Sequence, residues 1–229
     1  MCIRDRVYTF LVSPIRTWGG PREDYVWDAC VYEDYIYVLG GTFNQTGYLH
    51  ITIFKLDLNG RVVDSWTFDK ASVGNSIFIY GDNIYVAGMI CTMSGEFGLL
   101  IKLSLNFDVI WFKVFMDLST INSIYVYADR IYFVGINSEI SMNYVWVLDI
   151  HGNFLWKRSI ANVEDLCVYN GGLYVVGVHR TDVEIVYLMH MDLNGEVDWS
   201  QEWISGAEVE EEDLVVAKDR IFVIGHINN

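Results

Sequence analysis

The sequence predicts an all-β protein in which a short sheet recurs along the chain. A five-residue phrase rich in β-branched and aromatic residues, as strands prefer, occurs five times and ends each time in glycine. The closing glycines stand 42 to 48 residues apart, at Gly40, Gly88, Gly135, Gly177 and Gly225. No helical periodicity of useful length accompanies them. A fixed period of this size is typical of repeat architectures, whose units bury their apolar faces only against neighbouring units.

Each repeat divides into four short strands. In the second repeat, a first strand from Ser76 to Tyr80 is followed by the tight turn Gly81-Asp82-Asn83 and then by the glycine-ended phrase. A third strand runs from Leu99 to Leu105, and the fourth strand carries a tryptophan. The equivalent tryptophans are Trp66, Trp111, Trp156 and Trp199, with Trp18 as a fifth candidate. Four antiparallel strands per repeat, arranged radially, predict a β-propeller.

The ends of the chain predict the number of blades. Residues 25–68, 74–115, 121–159 and 163–204 supply four complete blades, whereas residues 211–229 supply only the first two strands of another. Residues 7–19 read as the missing third and fourth strands. We therefore predict one domain over residues 7–229 with five four-stranded blades, the last closed by the N- and C-terminal strands so that no sheet edge stays open. The alternative is a fragment of a larger propeller. Residues 1–6 resemble translated adapter sequence and are left outside the fold.

Composition restricts the partners. The 229 residues carry a net charge of −15, which disfavours nucleic acid and anionic membranes because phosphate binding needs clustered cations. No stretch reaches the roughly 18 apolar residues of a membrane-spanning helix, so no membrane insertion is expected. The four cysteines lack metal-ligand spacing and are expected to be buried free thiols. We expect a monomer. The compartment stays open, with an extracellular or cell-surface location favoured.

The repeats also resemble a known class. The turn Asp57-Leu58-Asn59-Gly60, the tryptophan strand that follows it and the glycine-ended phrase look like quinoprotein-like and related bacterial and archaeal propeller repeats. This resemblance covers nearly the whole chain and implies the propeller fold. The class includes dehydrogenases, assembly scaffolds and surface proteins, so the resemblance implies no single function. The chain has no vicinal cysteine pair, and we expect no quinone cofactor.

The candidate site residues stand at the start of the first strand of each repeat. This position holds Asp28, Ser76, Ser123, Asp165 and Asp213, and the position before it holds Trp27, Asn75, Asn122, Glu164 and Glu212. In a closed ring the three aspartates, with Glu164 and Glu212, would form an acidic arc at the mouth of the central channel. Their side chains could accept backbone N–H groups, a role that Ser shares with Asp. They could instead bind Ca²⁺ through oxygen ligands, or act as acid and base on a glycosidic bond.

These readings give three candidate functions. The favoured one is a non-catalytic binding or scaffold module that holds a protein or a glycan on its long-loop face around the channel, with no cofactor. The first alternative is a carbohydrate-active hydrolase that uses Asp28, Asp165 or Asp213 with Glu164 or Glu212. The second is a Ca²⁺-binding propeller with Asp28, Asp165 and Asp213 as metal ligands. The loops expected on that face include residues 19–25, 41–48, 89–97 and 136–144.

Overall fold

The computed structural model describes residues 23–45, 47–180, 184–204, 208–217 and 220–228. Residues 1–6, the predicted closing strands at residues 7–19 and the candidate tryptophan Trp18 lie outside these ranges. The predicted closure of the last blade by the N-terminal segment therefore stays a prediction. Among the described residues, no helix is long and apolar enough to cross a membrane.

The described residues form antiparallel β-sheets. Eighteen strands follow one another along these residues: β1 (Asp24–Tyr32), β2 (Tyr35–Phe43), β3 (Leu49–Asp57), β4 (Val62–Thr67), β5 (Ser72–Tyr80), β6 (Asn83–Thr92), β7 (Gly95–Ser104), β8 (Val109–Phe115), β9 (Thr120–Tyr127), β10 (Arg130–Asn137), β11 (Met142–Asp149), β12 (Phe154–Ser159), β13 (Val163–Tyr169), β14 (Gly172–Arg180), β15 (Glu184–Asp192), β16 (Val197–Ile204), β17 (Glu208–Ala217) and β18 (Arg220–Asn228). They form four sheets of four consecutive strands, β1–β4, β5–β8, β9–β12 and β13–β16, and a fifth sheet of two strands, β17–β18. The predicted four strands per repeat are thus present in four repeats.

The chain divides into two compact units, residues 1–114 and 115–229. In the first unit, β1 contacts β5, so the first strands of the two sheets are neighbours. Their core includes Leu39, Ile53 and Val86, each fully buried. In the second unit, β13 contacts β9 on one side and β17 on the other. Its largest core packs the sheets β9–β12 and β13–β16 together around residues such as Val145 and Val175.

The two ends of each four-stranded sheet differ. At one end lie the turns that join the first strand to the second and the third to the fourth. At the other, here named the connection end, lie the links from the second strand to the third and from the fourth strand onward. These links are shorter than the sequence predicted because the strands extend into them. In the second sheet only Met93 and Ser94 separate β6 from β7.

The glycine that closes the repeated phrase is explained by close backbone packing. Gly88 pairs with Gly74 immediately before a β-bulge in β5. A Cβ atom on Gly88 would lie 2.1 Å from the carbonyl oxygen of Val73, and one on Gly40 would lie 2.4 Å from that of Tyr25. Real Cβ atoms do not approach this closely, so any larger residue would displace the first strand. The repeated phrase therefore records the contact between the first and second strands.

The turns between the third and fourth strands are held by their first residue. The Asp149 carboxylate accepts the backbone amides of His151 and Asn153 at 2.9 and 2.8 Å. These hydrogen bonds from backbone amides hold the pKa of Asp149 below its usual range, and the amide of Asn153 has the largest effect. In the second sheet Ser104 replaces this aspartate, and its hydroxyl accepts the amides of Asn106 and Asp108 at 3.2 and 3.1 Å.

The tryptophan position is packed in some sheets and open in the fourth. Trp66 and Trp156 are partly buried against the cores of their units. The indole of Trp156 also donates to the carbonyl of Leu193 in the next sheet at 3.2 Å. Trp199, by contrast, is 42% exposed. The described part of the fifth sheet has two strands, β17 and β18, and the predicted strands at residues 7–19 that could cover Trp199 lie outside the described residues.

Candidate functional site

The candidate aspartates stand directly after a β-bulge in the first strand of their sheet. In β1 the register shifts between Val26 and Asp28, and in β13 it shifts between Val163 and Asp165. The bulge residues, Trp27 and Glu164, fall between consecutive register pairs, and the bulge bends the strand locally. The side chain of the residue that follows the bulge then contacts the first strand of the next sheet. The bulge is the feature of the candidate site that the sequence did not reveal.

Asp28 joins the first sheet to the second. One carboxylate oxygen accepts the amide of Ala29, the next residue in its own strand, at 2.7 Å. The other accepts the backbone amide of Ile77 at 2.9 Å and the hydroxyl of Ser76 at 3.2 Å, both in β5. The carboxylate therefore supplies acceptors to two strands that share no backbone ladder. We call this arrangement the aspartate clasp.

Asp165 forms a second aspartate clasp, between the fourth sheet and the fifth. One oxygen accepts the amide of Leu166 at 2.7 Å and also the hydroxyl of Ser123 from β9. The other oxygen accepts the amide of Leu214 in β17 at 2.8 Å. The clasp thus contacts the first strands on both sides of β13. The serines of this position donate their hydroxyl protons to an aspartate in a neighbouring strand, whereas the sequence suggested that they accept backbone amides.

Asp213 is the candidate carboxylate that the described contacts bring to Asp165. Its carboxylate accepts the amide of Leu214, which Asp165 also binds, at 2.8 Å. The pKa of Asp165 is raised to about 7, chiefly by burial and also by hydrogen bonding and repulsion from the Asp213 carboxyl, against the lowering effect of the Ser123 hydroxyl and the Leu214 amide. Asp213 itself is exposed. The two carboxyls therefore share one polar site at the start of β13 and β17.

The remaining candidates are not brought into this site by any described contact. Asp28 belongs to the first unit, and the acidic arc that would place it beside Asp165 stays a prediction. Glu164 is the bulge residue before Asp165 and is partly exposed. The side chain of Glu212 lies outside the described part of the chain.

The geometry favours a structural role over either chemical one. Within the described residues, no group of three or more His, Cys, Asp or Glu side chains could hold a metal ion. The N–H and O–H donors that point at Asp165 occupy the oxygens that a Ca²⁺ ion would need, so this set of partners does not suit a cation. Glycosidase carboxyls stand roughly 5 to 9.5 Å apart so that a sugar or a water fits between them. Asp165 and Asp213 instead accept the same backbone amide, that of Leu214, at 2.8 Å each, so both carboxyls are engaged with one strand.

Comparison with solved structures shows the fold. The β-propeller domain of the trilobed protease from Pyrococcus furiosus superposes with a TM-score of 0.60 at 11% identity, over 90% of this chain and 64% of that one. The acylaminoacyl peptidase of Pyrococcus horikoshii gives a TM-score of 0.53 at 13% identity, over 82% of this chain and 33% of that one. The chain thus spans less than two thirds of the length of either structure.

A third structure extends the comparison. The subtype N10 neuraminidase-like protein of A/little yellow-shouldered bat/Guatemala/060/2010 gives a TM-score of 0.53 at 11% identity, over 83% of this chain and 70% of that one. No protein-family model and no curated protein sequence matches the chain. At these identities the likeness shows a β-propeller fold and nothing about activity. The predicted propeller is therefore supported by four four-stranded sheets and by the solved structures, whereas the quinoprotein-like class is not.

Proposed function

We propose that this chain is a non-catalytic β-propeller module that binds a protein or a glycan through the connection ends of its sheets. One observation carries the proposal. The links at these ends present large apolar side chains to solvent, each more than half exposed: Tyr48 and Met93 in the first unit, Met116 and Ile140 in the second. The opposite turns are richer in Asp, Asn and Gly, and Leu58 in one of them is less exposed, at 41%. Exposed apolar residues that recur at one end of successive sheets are typical of a binding surface.

The aspartate clasps support a module without catalysis. Asp28 and Asp165 were the strongest candidates for acid–base chemistry, and both bind amides of neighbouring strands. A carboxylate in that role stabilises the junction between two sheets. The net charge of −15 supports a neutral or basic partner over nucleic acid. In this proposal the resemblance to quinoprotein-like repeats concerns the fold, and the module uses no quinone cofactor. A monomeric protein at the cell surface or outside the cell is consistent with this role.

We extend the proposal to five blades, with the fifth sheet completed by strands from residues 7–19. Phe222, Val223 and Ile224 in β18 are 38 to 58% exposed. The equivalent residues of β6, which has a third strand beside it, are Tyr85, Val86 and Ala87, and they are fully buried. The same phrase is thus covered in one sheet and uncovered in another, which supports a missing strand pair. The propeller of the trilobed protease is described as having an open velcro topology, and an unclosed fifth sheet is the corresponding alternative.

Binding to arrays of peptides and of glycans tests the function. Tyr48→Ser and Met93→Ser remove apolar groups from the connection end, whereas Leu58→Ser and Tyr127→Ser are matched changes at exposed positions of the opposite turns. We expect the first pair to weaken binding and the second pair to leave it unchanged. Equal effects of both pairs would contradict the proposal. Hydrolysis of aryl glycosides that Asp165→Asn abolishes in a folded protein would replace it with the enzymatic alternative.

A further inference from the structure

Three aromatic rings cluster at the connection end of the first sheet. The rings of Tyr25 and Trp27 lie in nearly parallel planes, 3° apart, with centroids 6.3 Å from each other. The ring of Phe43 is inclined at 63° to that of Tyr25, and their centroids are 6.2 Å apart. Tyr25 is 43% exposed. Trp27 fills the space above Gly41, where a Cβ atom would lie 2.2 Å from the indole. The cluster is therefore held in place by packing while one ring stays open to solvent.

The repeat shows that the fold does not require these aromatic residues. Trp27 occupies the bulge position, which holds Asn75, Asn122 and Glu164 in the next three sheets. Tyr25 stands two residues earlier, where the second sheet has Val73. The bulge therefore forms with polar residues as well, so its backbone geometry does not by itself account for an exposed aromatic ring at Tyr25.

Negative charge lies beside the open ring. The hydroxyl of Tyr25 donates to a carboxylate oxygen of Glu23 at 3.1 Å, and both Glu23 and Asp24 are exposed. The hydrogen bond to Glu23 and its charge raise the pKa of Tyr25. A phenol that donates to a carboxylate carries more electron density on its ring, and an electron-rich face attracts cations. The net charge of −15 adds a long-range attraction of the same sign.

We propose that the Tyr25–Trp27–Phe43 cluster, together with Glu23 and Asp24, binds an arginine or lysine side chain of a basic protein segment. This inference rests on the proposed function, because it names the partner of the connection end of the first sheet. The cation would lie on the open face of Tyr25, and the two carboxylates would neutralise it. Parallel rings could also receive a neutral sugar. The adjacent carboxylates favour a cation, because they attract the charge of a guanidinium or an ammonium group more strongly than they attract the neutral hydroxyls of a sugar.

Calorimetric titration with a capped peptide of alternating glycine and arginine tests the proposal. The same peptide with citrulline in place of arginine keeps the planar shape and three of the five N–H donors, replaces one nitrogen by a carbonyl oxygen and removes the charge. We expect Tyr25→Leu to raise the Kd of the arginine peptide about 3- to 10-fold, the range of an exposed to partly desolvated cation–π contact. Glu23→Gln should weaken it in the same direction. Tyr127→Leu, a matched change at an exposed tyrosine of a turn in the second unit, should have no effect.

Several outcomes would overturn this inference. Equal binding of the arginine and citrulline peptides would show that charge is not recognised. An unchanged Kd in Tyr25→Leu would show that the peptide is held by the diffuse acidic surface alone. Competition by xylohexaose, a neutral oligosaccharide, would assign the rings to a sugar. If the arginine peptide fails these tests while Tyr48→Ser and Met93→Ser still weaken binding on the arrays, only the inference is overturned. If those two changes weaken array binding no more than the changes at the opposite turns do, the proposed function is overturned as well.

Discussion

The carboxylate of Asp165 accepts the backbone amide of Leu214 across a distance of 2.8 Å and so joins two sheets that share no ladder. Asp28 and Ile77 show the same relationship in the other unit, at 2.9 Å. In both pairs the acceptor follows a β-bulge and the donor lies one residue after the equivalent position of the next sheet. The recurrence in independent pairs identifies the clasp as part of the repeat.

Asp165→Ala should lower the free energy of unfolding by about 2 kcal/mol, because the amide of Leu166 and the hydroxyl of Ser123 would lose this acceptor and the amide of Leu214 would keep only Asp213. Urea denaturation followed by tryptophan fluorescence measures this change. Asp69→Ala is the matched control, since its side chain is 80% exposed and its ion pair with the adjacent Lys70 lies at the surface. A loss no larger than that of the control would exclude the clasp as a stabilising contact.

The stability that Asp165 contributes should depend on pH. Burial raises its pKa to about 7, above the value of roughly 4 for an unfolded aspartate. The folded state therefore binds more protons between these two values, and the contribution of Asp165 to the free energy of unfolding falls as pH rises from about 4 to about 7. The free energy of unfolding of wild type minus that of Asp165→Asn should therefore fall as pH rises across that window.

Asp149→Asn provides the control for this titration. Amide hydrogen bonds lower the pKa of Asp149, so its contribution is fully present above the unfolded value and is lost only as pH falls below it. Between pH about 5 and about 8 the difference between wild type and Asp149→Asn should stay constant. Parallel curves for wild type and Asp165→Asn across the same range would show that Asp165 does not titrate there.

Gly88→Ala should destabilise the protein by about 1 to 3 kcal/mol or more, because the added Cβ would lie 2.1 Å from the carbonyl oxygen of Val73 and the backbone would have to move. Gly81→Ala is the comparison. Gly81 has a φ of +56° but no heavy atom within 4 Å of the added Cβ, so only the conformational cost of about 1 kcal/mol applies. Thermal unfolding of both variants gives the order, and a larger loss at Gly81 would contradict the packing argument.

These comparisons show how far the sequence could predict the molecule. The period of the glycine-ended phrase predicted the four four-stranded sheets, because a strand alternates in a pattern that a short window of residues contains. The aligned column containing Asp28 and Asp165 was also visible. The bulge was not visible in the sequence, because it is an offset in the pairing of two strands and no particular residue type marks it. Trp27 and Asn75 occupy the same bulge position with unrelated side chains. The exposure of Trp199 escaped for the same reason, since it depends on what covers the strand.

Trp199→Ala tests the proposed closure of the fifth sheet. Were residues 7–19 to complete that sheet, its outer strands would cover Trp199 as the fourth sheet covers Trp156. We then expect Trp199→Ala in the full chain to cost about 3 kcal/mol, close to the cost of Trp156→Ala. Urea denaturation of the two variants side by side makes the comparison. A loss below about 1 kcal/mol for Trp199→Ala alone would favour an open fifth sheet.

The clasps also determine how stability is distributed. In each clasp a carboxylate of one sheet accepts an amide of the next sheet, so the first strands of the two sheets depend on each other. Loss of a single repeat would leave its neighbour with donors that lack acceptors, and that neighbour would open more readily. The backbone amides of Ile77 and Leu214 should therefore exchange faster when the preceding repeat is destabilised and more slowly when it is stabilised, as expected for coupling between neighbouring repeats.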